Sequence, residues 1–173
     1  MMLTSIASRN LTFSHPRTYV AATLFIIGNI LLPQLVHTLH QGGPTWLPIY
    51  FFTLIGACLC GWRVGLLTAL ASPVVNSLLF GMPAVAMLPA IILKSTVLAM
   101  VAALAVRKAG RVSLALIVAI VACYQGIGTL GEWMLTGDFA VACQDFRLGL
   151  PGMLLQIFGG YAVVRFMEGR RLI

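Results

Sequence analysis

A chain of 173 residues has single-domain length, yet 60% of it is apolar, only 9% is charged, and its mean hydropathy is +1.00. Eleven basic and four acidic side chains cannot cover a water-soluble exterior, in which about a quarter of residues are charged, so the exterior must face lipid. Disorder is excluded because it needs low hydrophobicity, and the net charge of +7 is spread between apolar segments instead of gathered on one aromatic-studded face, which removes nucleic acid as a partner.

In chain order, residues 1–17 carry Arg9, His15, Pro16 and Arg17 without a long apolar run or a small-residue cleavage site, and are expected to stay as a cytoplasmic tail. Six apolar runs follow: Thr18 to Leu39, Leu47 to Gly61, Val64 to Phe80, Ala84 to Val106, Val112 to Leu135, and Leu148 to Phe166. A spanning helix needs about 20 such residues, so five runs suffice with some tilt and the second is a short span. The runs are continuously apolar and do not alternate, which favours helices over a transmembrane barrel. The expected fold is an all-α integral membrane protein, a compact six-transmembrane-helix bundle over residues 18–168, with a cytoplasmic tail at 169–173.

Charge between the runs sets the expected orientation. Arg9, Arg17, Arg63, Arg107, Lys108, Arg111, Arg165, Arg170 and Arg171 fall at one end of the bundle, and Arg147 alone falls in the loops of the other. Basic residues collect on the cytoplasmic side of short loops, so both termini are expected in the cytoplasm. The segments His37 to Trp46, Gly81 to Pro83, and Trp133 to Arg147 then face outside, and Glu132, Asp138 and Asp145 lie at or beside the last of them.

Lys94 is the most informative side chain. An ionisable group inside a span costs about 2.5 to 3.5 kcal/mol and turns toward protein or water. Thirteen residues separate it from Arg107, roughly 20 Å along a helix, which places it in the outer half of the bilayer beyond reach of the basic end. It meets either an anionic group of an entering ligand or Glu132, and the two are compatible if ligand and Glu132 compete.

The other candidates carry a structural reading beside the functional one. His37 and His40, three apart, share a helix face and suit a metal or haem iron, or simply contact water at a helix end. Trp46, Tyr50, Tyr124 and Trp133 suit a wall around a flat ligand, or a belt of interface anchors. Asn76, Gln125 and Gln156 bond a ligand or cross-link helices. Small residues at Ala57, Gly61, Gly65, Ala69, Ala99, Ala103, Ala115 and Ala119 recur every four positions and imply close helix approach, within the bundle or with a partner. Pro33, Pro73, Pro89 and Pro151 interrupt four spans and free backbone carbonyls. Cys58, Cys60, Cys123 and Cys143 form no CxxC pair, and Gly126, Gly128 and Gly131 follow no strand, so they read as packing instead of a dinucleotide fingerprint. No GxSxG, HExxH or Walker A pattern is present, so the chain is not expected to be an enzyme or to hydrolyse ATP.

The order Leu47-Pro48-Ile49-Tyr50, Ile55-Gly56, Gly61-Trp62-Arg63-Val64-Gly65, Ser72-Pro73, Gly81-Met82-Pro83 and Met87-Leu88-Pro89 resembles the substrate-binding components of energy-coupling factor transporters. The likeness runs from about Gly43 to Arg107. It implies a protein of the bacterial cytoplasmic (inner) membrane that captures a micronutrient from outside and works with a transmembrane coupling subunit and two cytoplasmic ATPases. Two departures stand out. The first helix lacks an AxxxA pair for docking, and Lys94 stands where an acidic residue is expected after the Met-Leu-Pro segment.

The expected function is therefore capture of a vitamin or cofactor-like solute by Lys94, Glu132, Trp46, Trp133, Tyr50, His37, His40, Asn76 and Gln125, in an outward pocket among helices four to six and the first and third outer loops. No resident cofactor is expected. Lys94 would hold a carboxylate or phosphate, and a haem or other tetrapyrrole is one option within the class. The alternatives are a membrane-embedded enzyme acting on a lipid or isoprenoid substrate, and a structural subunit of a larger complex.

Overall fold

The structure, a computed structural model, describes residues 11–36 and 42–170. Every regular element among these residues is helical. Helix α1 is Pro16–Val36, α2 is Gly42–Trp46, and a 3-10 turn at Pro48–Tyr50 leads into α3, Phe51–Cys60. Then come α4 (Trp62–Phe80), α5 (Leu88–Ala109, entered by a 3-10 turn at Val85–Met87) and α6 (Leu114–Thr136). Short helices α7 (Phe139–Ala142) and α8 (Gln144–Leu148) form the last loop before α9 (Leu150–Leu154), a π-helical turn at Leu155–Gly159, and α10 (Gly160–Arg170).

Among the described residues, five helical stretches are long and apolar enough to cross a bilayer: α1, α4, α6 and the two formed by Val85–Ala109 and Leu150–Gly169. The chain is a multi-pass helical membrane protein. Six spans were expected, and the second run departs from that expectation. Leu47, a left-handed residue at φ 45°, and Gly61 at φ 87° bracket it, leaving the 3-10 turn and the ten residues of α3 as one helical stretch, Pro48–Cys60, roughly 21 Å against a hydrocarbon core of about 30 Å. Thr53 through Cys60 are all buried, so α3 is a core helix wrapped by its neighbours. Only glycine adopts the Gly61 backbone without strain, and that one residue turns α3 into α4.

Small residues let α3, α4 and α5 meet. A Cβ placed on Gly65 would lie 2.7 Å from Ala57 Cβ, which forces a shift, and 3.2 Å from Ala99 Cβ, a tight contact. Ala57, Ala69, Ala99 and Ala103 are buried at these crossings, whereas Ala115 and Ala119 on α6 face outward.

The prolines divide into two pairs. Pro89 and Pro151 occupy first turns of α5 and α9, where the missing N–H costs nothing, and so interrupt no helix. Pro33 and Pro73 lie inside α1 and α4. Pro33 cannot donate to the carbonyl of Asn29, and Asn76 Nδ2 on α4 donates to that oxygen instead, at 2.9 Å. Asn29 itself is fully buried: its Nδ2 donates to Thr53 Oγ1 at 2.9 Å and Ser72 Oγ at 3.3 Å, and its Oδ1 accepts from Phe52 N at 3.0 Å. A side chain on α1 thereby satisfies an orphan donor in the first turn of α3. In the last span, the π-helical turn carries Gln156, whose Oε1 accepts from the buried Tyr124 hydroxyl at 2.8 Å.

Candidate functional site

Positions 87, 90, 91 and 94 follow the i, i+3, i+4, i+7 pattern, so Met87, Ala90, Ile91 and Lys94 form one stripe at the start of α5. That stripe is one wall of a cavity of about 390 Å³. Leu47 to Tyr50 and the Gly81 to Ala84 loop form further walls, with Pro33 and Asn76 from α1 and α4, Glu132 from α6, and Gln144 and Asp145 from α8. The mouth lies at the end of the bundle opposite Arg107, Lys108 and Arg111, which close α5 and enter α6.

Lys94 is 3% exposed and stands between two carboxylates. Its Nζ forms an ion pair with Glu132 Oε2 and donates to Asp145 Oδ2 at 2.7 Å. The carboxylates keep 15% and 17% exposure, so the three charges form a half-buried triad beside the cavity. Room for the lysine stem comes from Gly128, one turn before Glu132, where a Cβ would lie 2.6 Å from Lys94 Cγ. Gly131 packs on Leu93 in the same way, while Gly126 faces open space.

Asn76 is 1% exposed. Its Nδ2 is committed to the Asn29 carbonyl, and its Oδ1 has no hydrogen-bond partner. Because the bond to Asn29 fixes which amide atom is nitrogen, the unpaired atom beside the cavity is an acceptor. Tyr50 adds a buried ring, 5.7 Å from that of Tyr124.

Of the residues expected from sequence, Lys94, Glu132, Tyr50 and Asn76 come together here. Trp46 does not line the cavity: it is half-buried and its backbone packs on Gly152. Trp133 is 44% exposed and turns its ring onto Phe139, 5.4 Å away. Gln125 lies two turns deeper than Glu132, fully buried, with neither amide atom hydrogen-bonded. His37 and His40 lie outside the described residues. The walls come from the expected spans one to five and all three loops of this end, where the expectation had been spans four to six and two loops.

Asp145 and Gln144 are the residues that sequence reasoning missed. Asp138 and Asp145 look alike as loop carboxylates, but Asp138 is an N-cap: its Oδ1 accepts from Ala140 N at 2.8 Å and Val141 N at 3.2 Å. An Asp just before the helix-forming Phe139-Ala140-Val141-Ala142 was the available signal, and it leaves Asp145 as the carboxylate free to reach Lys94, 51 residues away. No protein-family model, curated protein or solved structure matches this chain.

Proposed function

We propose that this protein is the substrate-capture component of an energy-coupling factor importer. It binds a vitamin- or cofactor-sized micronutrient in the cavity beside Lys94, at the outer face of a bacterial cytoplasmic membrane, with both termini inside. A transmembrane coupling subunit and two cytoplasmic ATPases supply the energy for delivery. The observation that carries the reading is the cavity itself: its volume falls in the range of small-molecule sites, about 300 to 1,000 Å³, and apolar walls surround a few convergent polar groups. The segments that carry the family resemblance support it, since Leu47 to Tyr50, Gly81 to Pro83 and Met87 all line that space. The arginine-rich rim at the other end supports the orientation.

Mass spectrometry of the protein purified in mild detergent tests the reading. One small molecule is expected to copurify near one equivalent and to be released on unfolding. Recovery of lipid alone, from protein expressed with or without the coupling subunit, would refute capture of a soluble micronutrient.

A further inference from the structure

The polar groups of the cavity do not balance. Among the described residues that line it, Lys94 is the one side chain with a fixed positive charge, and it is shared between Glu132 and Asp145. One ammonium against two carboxylates leaves one negative charge in excess. The hydrogen-bonding groups tilt the same way. Lys94 Nζ gives one of its three N–H groups to Asp145 and lies against Glu132, and Asn76 Nδ2 gives one of its two to the Asn29 carbonyl, so at most one N–H of each is left. The acceptor Asn76 Oδ1 is buried and unpaired, and each carboxylate has a second oxygen that the lysine does not engage. Tyr50 and Gln144 serve in either sense. An anionic ligand would meet two carboxylates before it could displace them from Lys94. A cation with N–H groups would find vacant acceptors and cancel the excess charge, in surroundings where an uncompensated charge is costly.

We propose that the cavity takes a ligand whose head group is a single N–H-donating cation, an organic ammonium or a protonated heteroaromatic amine, carried on an apolar body. The head group sits against Asp145, Glu132 and Asn76 Oδ1, and the body lies along Ile49, Met87 and Ile91. Lys94 then acts as a positioning residue, holding the two carboxylates together so that they present one net charge. The proposal rests on the cavity being the capture site. The chain's overall charge of +7 repels cations, so a preference for a cation cannot come from the protein's general field.

Three probes of matched shape test it: tryptamine, indole-3-ethanol and indole-3-propionate, positive, neutral and negative at neutral pH. Their binding to the full chain in lipid nanodiscs is measured by titration calorimetry and by the rise in unfolding temperature. Tryptamine is expected to bind at least tenfold more tightly than either of the others. Asp145→Asn is expected to weaken tryptamine at least tenfold and to abolish its advantage over indole-3-ethanol. If Asp145→Asn does not fold, the ranking on the wild-type protein decides alone. Tightest binding by indole-3-propionate, or equal binding by all three, overturns the cation assignment and leaves the capture reading standing. Binding by none, or tightest binding by indole-3-ethanol, also overturns the cation assignment, and the capture reading is then decided by the copurification test.

Discussion

Lys94→Met removes the only cation of the triad and leaves Glu132 and Asp145 facing each other across the space its ammonium filled. Breaking a buried ion pair by deleting one partner costs about 3 to 5 kcal/mol, because the remaining charge is desolvated and unpaired. Here the carboxylates keep 15% and 17% exposure, so water relieves part of the penalty and the lower figure, about 3 kcal/mol, applies. At about 1.4 kcal/mol per factor of ten, the folded-to-unfolded ratio falls by roughly a hundredfold. The triple variant K94M/E132Q/D145N deletes the whole charge set, and its stability is expected within about 1 kcal/mol of wild type or above it. Equilibrium unfolding by SDS in mixed micelles, followed by circular dichroism, measures all three proteins. Wild-type stability in K94M, or a triple variant no more stable than the single one, would refute the claim that the lysine is held by charge.

Four further outcomes follow from the packing. Gly65→Ala drives a methyl into Ala57 and Ala99, and a loss of about 1 to 3 kcal/mol is expected in the same unfolding assay; no loss would show that α3 and α4 can separate freely. Gly128→Ala pushes on Lys94 Cγ at 2.6 Å and should reduce the amount of copurifying small molecule while helix content by circular dichroism stays the same; full retention would dissociate the lysine position from binding. Gln125→Met keeps the volume but deletes two buried polar atoms without partners, so a gain of about 1 to 2 kcal/mol is expected, and a loss would reveal an internal water on that amide. Asn29→Ala removes three hydrogen bonds at about 1 kcal/mol each, for a cost of about 3 kcal/mol; a cost under about 1 kcal/mol would mean that solvent replaces them.

Apolar runs are legible because lipid demands about 20 such residues whatever the neighbours do, and the observed spans begin and end within a few residues of the expected ones. The short run before Gly61 was visible as short, but its place in the core was not, since burial depends on what surrounds a helix. Lys94 stood out in one dimension for the same reason the spans did: an ammonium among hydrocarbon is costly wherever it occurs. Its partner Asp145 did not, because the fold of α7 and α8 brings that carboxylate back, and only the capping role of Asp138 separates the two aspartates. Trp46 and Trp133 flank the same outer loops as the lining residues, but Trp133 turns its ring onto Phe139 and the Trp46 backbone packs on Gly152, contacts that composition does not reveal. Gln125 and Glu132, seven residues apart, share a face of α6, so depth along the axis decides which one reaches the cavity.

The ten-residue α3 bears on how the chain enters its membrane. A segment shorter than the hydrocarbon is thick is not threaded across by itself, and without α1 the amide of Phe52 would lose the side-chain acceptor it has here. Gly61 ties it directly to α4, which is long enough to cross, so α3 enters the bilayer as the partner of that helix. Asn29 supplies the acceptor for Phe52 N, so that amide is satisfied only when α1 lies against α3. The proline in α1 and the Asn29 carboxamide thus make the seating of the short helix depend on α1 and α4 together.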